Sequence, residues 1–162
     1  MDEKNLESLV ADYVSKNFYC KIFSCVLGAA YTPPIFIDDV DFLKLQAQST
    51  GETFSEMLLH LIDESGEKNS VVYARANIDR RHFSKIINHK DYQPSKQTAL
   101  AFAVALKLNF EQTQQLLATA GYTLNNANLA DVIVSFFIEY EIFDVDLVNQ
   151  SLYKYKLPLL GS

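Results

Sequence analysis

Apolar residues recur at helical spacing along most of the chain. Leu6, Leu9, Val10, Tyr13, Val14 and Phe18 fall on one stripe and predict an amphipathic helix over about Glu3 to Phe18. The next stretch, Cys20 to Ala30, is apolar without clean periodicity, and Thr32-Pro33-Pro34 breaks any helix there. Ile35 to Ile37 has the character of an extended segment, and a short helix over Asp41 to Ala47 sits among acidic and polar neighbours that read as linker. From Thr53 onward, start and stop signals succeed one another at short intervals. Thr53 with Glu56 forms a capping box, Phe54, Leu58, Leu61 and Ile62 make a stripe, and Gly66 ends that helix. A second helix is predicted from near Asn69 to near Ala76, and a third capped by Asp79 with Phe83, Ile86 and Ile87 inward. A fourth is capped by Ser95 and runs to Leu108, and a fifth runs from Asn109 to Gly121. Leu129, Val132, Ile133, Phe136, Phe137 and Tyr140 mark a sixth, and Asp144 caps a seventh through Leu147, Val148 and Leu152. No period-two strand pattern of useful length and no internal repeat appears, so the expected fold is all-α. Two regions are expected: 1–50, an N-terminal helix with an irregular linker, and 51–162, the helical domain.

Charge changes this picture locally. The chain of 162 residues carries a net charge of -6, which argues against a protein coated with positive charge for nucleic acid. Between Glu67 and Leu100, however, seven basic residues (Lys68, Arg75, Arg80, Arg81, Lys85, Lys90, Lys96) face three acidic ones (Glu67, Asp79, Asp91). That local balance of +4 leaves -10 on the remainder, as a localised phosphate-facing surface would need; a solvated basic face has the same composition.

The same segment contains the arrangement with most functional content. In VVYARANIDRRHFSKI, from Val71 to Ile86, two short helices meet at Asn77, where the turn wants a left-handed backbone that Asn tolerates better than most residues. Ile78 then fills the angle between the helices, and Asp79 caps the second. With Phe83 and Ile86 inward, Arg80, Arg81, Ser84, Lys85 and Asn88 are left toward solvent. An Arg fork matches the two acceptors of guanine, Asn can pair with adenine, and Ser, Lys and Arg can hold phosphates. Lys90 follows just beyond the helix.

On these residues the stretch from about Glu56 to Leu117 resembles the five-helix DNA-binding domain of the lambda repressor and related phage-type regulators. The resemblance rests on Asn77-Ile78-Asp79 at the turn, Phe83-Ser84-Lys85-Ile86 after it, Pro94, Ala103-Val104-Ala105-Leu106 and the segment Asn109 to Leu117. It implies a five-helix helix-turn-helix core, to which the apolar periodicity adds extra C-terminal helices and an N-terminal helix. The recognition helix would span about Asp79 to Asn88, with base or phosphate contact carried over onto Arg80, Arg81, Ser84 and Lys85; the solvent face and local charge add Asn88 and Lys90 as expected DNA-binding residues. The chain departs from that pattern at Tyr73, where the family has a small Ala, and at Ser70 and Val71, where it has a phosphate-gripping Gln. Over Thr53 to Gly161, the segments FSEMLLHLIDESG, ANIDRRHFSKI, YQPSKQTALAFAVAL and Pro-Leu-Leu-Gly are similar to a largely uncharacterised bacterial family of helix-turn-helix proteins. Some members carry the module behind an ADP-ribose-binding macro domain, for which residues 1 to 50 are too short and too poor in Gly.

Enzyme chemistry finds no support. His60, His82 and His89 lack metal-ligand spacing, no Gly-x-Ser-x-Gly or Gly-rich phosphate loop is present, and the neighbouring carboxylates Asp38-Asp39 and Asp63-Glu64 read as solvated. Neither a metal nor a cofactor is expected. Cys20 and Cys25 read as buried free thiols. The acidic, polar first residues read as no secretory signal, and Ile22 to Tyr31 is too short to span a bilayer, so the expected location is cytoplasmic, without a membrane partner. The expected function is a sequence-specific DNA-binding transcriptional regulator. The alternative is a protein-protein interaction adaptor on a degenerate helix-turn-helix scaffold. Phe136, Phe137, Ile138, Tyr140, Ile142 and Phe143, with Tyr153, Tyr155, Leu157, Leu159 and Leu160, carry more apolar surface than one short helix face needs. Either they wrap the core or they form a homodimer, which would suit a palindromic duplex.

Overall fold

The computed structural model describes residues 3–19, 51–89 and 92–161. Among them the secondary structure is wholly helical: α1 (Glu3–Val14), α2 (Phe54–Ser65), α3 (Asn69–Arg75), α4 (Arg80–Asn88), α5 (Lys96–Ala105), α6 (Phe110–Thr119), α7 (Leu129–Glu139) and α8 (Val145–Lys154). No helix among the described residues is long and apolar enough to cross a membrane. The expectations for Cys20, Cys25, Ile35 to Ile37, Asp38-Asp39, Asp41 to Ala47 and Lys90 lie outside the described residues.

The start signals act as their chemistry requires. Thr53 and Glu56 exchange both bonds of a capping box, as do Asn109 and Gln112. Asp79, Ser95 and Asp144 each accept backbone N–H groups at the helix they precede.

Five helix ends share one closure. After α3, α5, α6, α7 and α8, a left-handed residue (Asn77, Lys107, Gly121, Glu141, Lys156) is followed by an apolar one (Ile78, Leu108, Tyr122, Ile142, Leu157). The N–H of that apolar residue returns to a carbonyl in the last turn, as from Ile78 to Tyr73 O at 2.9 Å and from Leu108 to Ala103 O at 3.0 Å. This is why α5 stops at Ala105 rather than at Leu108. A β-carbon in the left-handed region costs about 1–2 kcal/mol, and glycine returns about 0.5–1 kcal/mol of that through the freer unfolded chain. Lys107→Gly, at an exposed position, is therefore expected to stabilise the protein by about 0.5–1 kcal/mol, read as a rise in urea midpoint at unchanged slope.

Two helices form the interior. Every residue of α5 from Thr98 to Ala105 is buried, and its alternating alanines (Ala99, Ala101, Ala103, Ala105) let α3, α6 and α8 approach. All of α7 from Asp131 to Ile138 is buried too, beneath α1, α6 and α8. The apolar residues of α7 are thereby covered from within the chain, whereas Tyr140 and Tyr153 of the expected surplus stay exposed. Leu6, Val10 and Val14 of α1 lie on it, and Tyr13 meets Phe136 edge-on with ring centroids 5.3 Å apart. Burial, reinforced by a hydrogen bond to Glu139, pushes the Tyr13 phenol well above its ordinary pKa, so it stays neutral. The expected continuous helix to Phe18 is instead α-helical to Val14 and then widens into a π-helical turn, Ser15–Tyr19. There the Asn17 side chain donates to the Tyr13 carbonyl at 3.0 Å, competing with the backbone for it.

Candidate functional site

The site is α4 and what holds it. Asp79 precedes the helix in extended conformation, and its carboxylate accepts the N–H groups of Arg81 at 2.7 Å and His82 at 3.0 Å. Those two bonds hold the Asp79 carboxyl below the usual carboxylate range. Phe83 and Ile86 are buried, and Phe83 rests on Phe102 of the central helix with centroids 6.0 Å apart. Ile87, expected inward, is half-buried at the edge of the same cluster. At about 100° per residue, Arg80, Ser84, Asn88, Arg81 and Lys85 then share one arc of about 140° opposite the buried side, and all five are exposed.

Their partners differ. Asn88 turns its amide back along the helix, donating to the Ser84 carbonyl at 2.8 Å and to Ser84 Oγ at 3.0 Å. The Lys85 ammonium stands 4.6 Å from the centroid of the Tyr92 ring, whose hydroxyl lies 3.3 Å from His82 Nε2. Arg80 and Arg81 make no side-chain hydrogen bond or ion pair among the described residues. Both stand in the first turn of α4, the positive end of the helix dipole, where cations are locally disfavoured and an anion is welcome.

Two charges of the basic segment serve the fold instead. Arg75 donates to the Ala105 carbonyl at 2.7 Å, closing the end of α5, and pairs with Glu67 at 3.0 Å. Lys96 pairs with the buried Asp131 and donates to the Thr123 carbonyl at 2.7 Å. Among the described residues of the basic segment, the exposed positive side chains are thus Lys68, Arg80, Arg81 and Lys85.

The junction ahead of α4 follows the expected pattern, with Asn77 left-handed at φ 56 and Ile78 buried. Tyr73 is half-buried and packs on Phe83 with centroids 5.2 Å apart, so the space between α3 and α4 is filled by a ring rather than closed by a small residue. Sequence reasoning missed Tyr92, which reaches α4 across a loop, and Asp146, whose carboxylate accepts from the Asn77 amide at 2.7 Å. Neither carries a local signal, because each meets its partner only through the fold. Comparison with models of protein families, with curated proteins and with solved structures finds no match for this chain.

Proposed function

We propose that the protein is a DNA-binding regulator of the lambda-repressor type, in which α2 to α6 form the five-helix core, α3 and α4 its helix-turn-helix, and α4 the recognition helix. The observation that carries the reading is the pair Arg80 and Arg81: two exposed guanidinium groups with no side-chain hydrogen bond or ion pair among the described residues, at the positive end of a helix whose Asp79 carboxylate is engaged in capping, so that a further anion is welcome there. A backbone phosphate is such an anion, and the neighbouring Ser84 and Lys85 extend the contact along the same arc. Asn88, tied to Ser84, contributes less to base reading than its residue type suggests.

The test is fluorescence anisotropy with a labelled duplex of mixed sequence over a salt series. Wild type should bind at low salt and weaken steeply as salt rises. Arg80→Gln/Arg81→Gln should lower the slope of log affinity against log salt by about two, since each lost phosphate contact removes about one. Arg81→Glu/Lys85→Glu should abolish binding with helicity unchanged, because both positions are exposed. One observation favours an adaptor instead: Val71, in the first turn of α3, is an apolar side chain 44% exposed where a DNA-facing polar group belongs. A wild type that ignores duplex at low salt transfers the reading to that class.

A further inference from the structure

The α3–α4 turn is held by a part of the chain some seventy to eighty-five residues away. Beyond α8, the chain doubles back through Leu157 and Leu160, and Leu160 is buried. Asn149 of α8 grips that segment with both ends of its amide, accepting the Leu160 N–H at 2.7 Å and donating to the Leu160 carbonyl at 3.1 Å. Gly161 follows, left-handed at φ 80 and laid directly on the turn. A β-carbon there would overlap the Ala76 carbonyl oxygen and stand 3.1 Å from both Asn77 Cβ and the Asn77 carbonyl. Asp146, in the first turn of α8, also accepts the Asn77 amide. The left-handed Asn77 between α3 and α4 is therefore held by two separate contacts.

We infer that Leu157 to Gly161 is a strap, locked by Asn149, that together with Asp146 fixes the α3–α4 turn and so sets how Arg80 and Arg81 are presented. These are positioning residues: none of them lies on the exposed arc of α4. Turn geometry governs the crossing of the two helices, and a strap that can be released gives that crossing a second control outside the five central helices. The statement about the turn stands on the contacts alone, and the statement about Arg80 and Arg81 rests on the DNA reading proposed above.

The experiment separates the two. Asn149→Ala removes the lock, Gly161→Ala forces the segment off the turn, Asn149→Asp keeps the acceptor for the Leu160 N–H, and Asp146→Ala removes only the Asn77 bond at an exposed position. Amide hydrogen exchange is followed in each full-length variant, with circular dichroism as the check on folding. Exchange over residues 74–82 should quicken about ten- to thirty-fold in Asn149→Ala, which loses two ordinary hydrogen bonds, and comparably in Gly161→Ala, where the clash displaces the segment, while α2 and α7 keep their wild-type rates. Asn149→Asp should fall between wild type and Asn149→Ala, and Asp146→Ala should quicken Asn77 and Ile78 alone. Unchanged exchange over 74–82, or an increase spread evenly over the chain, overturns the strap. Duplex anisotropy on the same variants then decides the second part: affinity about three- to ten-fold weaker supports control of presentation, and wild-type affinity with a loosened turn overturns it. Should wild type itself not bind duplex, the DNA reading fails and the strap is judged on exchange alone.

Discussion

Lys96→Met is expected to destabilise the protein by about 3–5 kcal/mol at neutral pH, measured by urea unfolding, because it strands a buried charge. Asp131 is 1% exposed, and its carboxylate accepts from Lys96 Nζ and, at 2.9 Å, from the N–H of Asn125. Without the ammonium one backbone N–H is left to hold an ionised group inside the protein. The Thr123 carbonyl, which accepts from the same ammonium, loses its donor as well. Lys96→Met/Asp131→Asn removes both charges and keeps an acceptor for Asn125, so it should regain more than half of the loss. A single variant costing under about 1 kcal/mol would mean that the pair is solvated and contributes as an ordinary surface bridge.

Phe136→Ala carries the second large effect, about 3–5 kcal/mol, as expected when a buried aromatic leaves a cavity. Phe136 is fully buried, within 5.4 Å of Phe137 and 4.5 Å of Tyr140 by ring centroid, and it is the surface on which Tyr13 of α1 rests. The loss should therefore be felt first in α1. Hydrogen exchange over residues 6–14 should accelerate beyond the global change, while Phe136→Leu, which refills most of the volume, should restore both quantities in part. Wild-type protection of α1 in a destabilised Phe136→Ala would show that the helix is held by other contacts, such as the Glu7 to Lys154 ion pair at 3.0 Å.

How much of this could be read beforehand depends on the range of each interaction. Thr53, Asp79, Ser95, Asn109 and Asp144 announce their helices because a cap acts within three residues of itself. Asn77 and Gly121 mark their turns because their residue types tolerate a left-handed backbone. Lys107, Glu141 and Lys156 adopt that same conformation without any such mark. What drives them there is the packing of Leu108, which is buried, and of Ile142 and Leu157, which are half-buried against the core. The solvent arc of α4 was legible for the reason caps are, since helical periodicity alone separates Phe83 and Ile86 from Arg80, Arg81, Ser84, Lys85 and Asn88.

The charges were harder, because composition counts them without saying what each one meets. The basic segment from Glu67 to Leu100 includes Arg75 and Lys96, and nothing local distinguishes them from Arg80 and Arg81. Their partners, the Ala105 carbonyl and Asp131, lie 30 and 35 residues away. By itself, then, the sequence determined that the described residues are helical, where most of their helices begin, and which side of α4 faces water, since propensity, capping and periodicity are all properties of neighbouring residues. Only the tertiary structure decided that α7 is an interior helix wrapped by α1 and α8, that two of the basic residues are committed to the fold, and that the α3–α4 turn is clasped by Asp146 and Gly161. Each of those depends on pairing groups distant along the chain, and such pairs come together only when the hydrophobic core has closed around them.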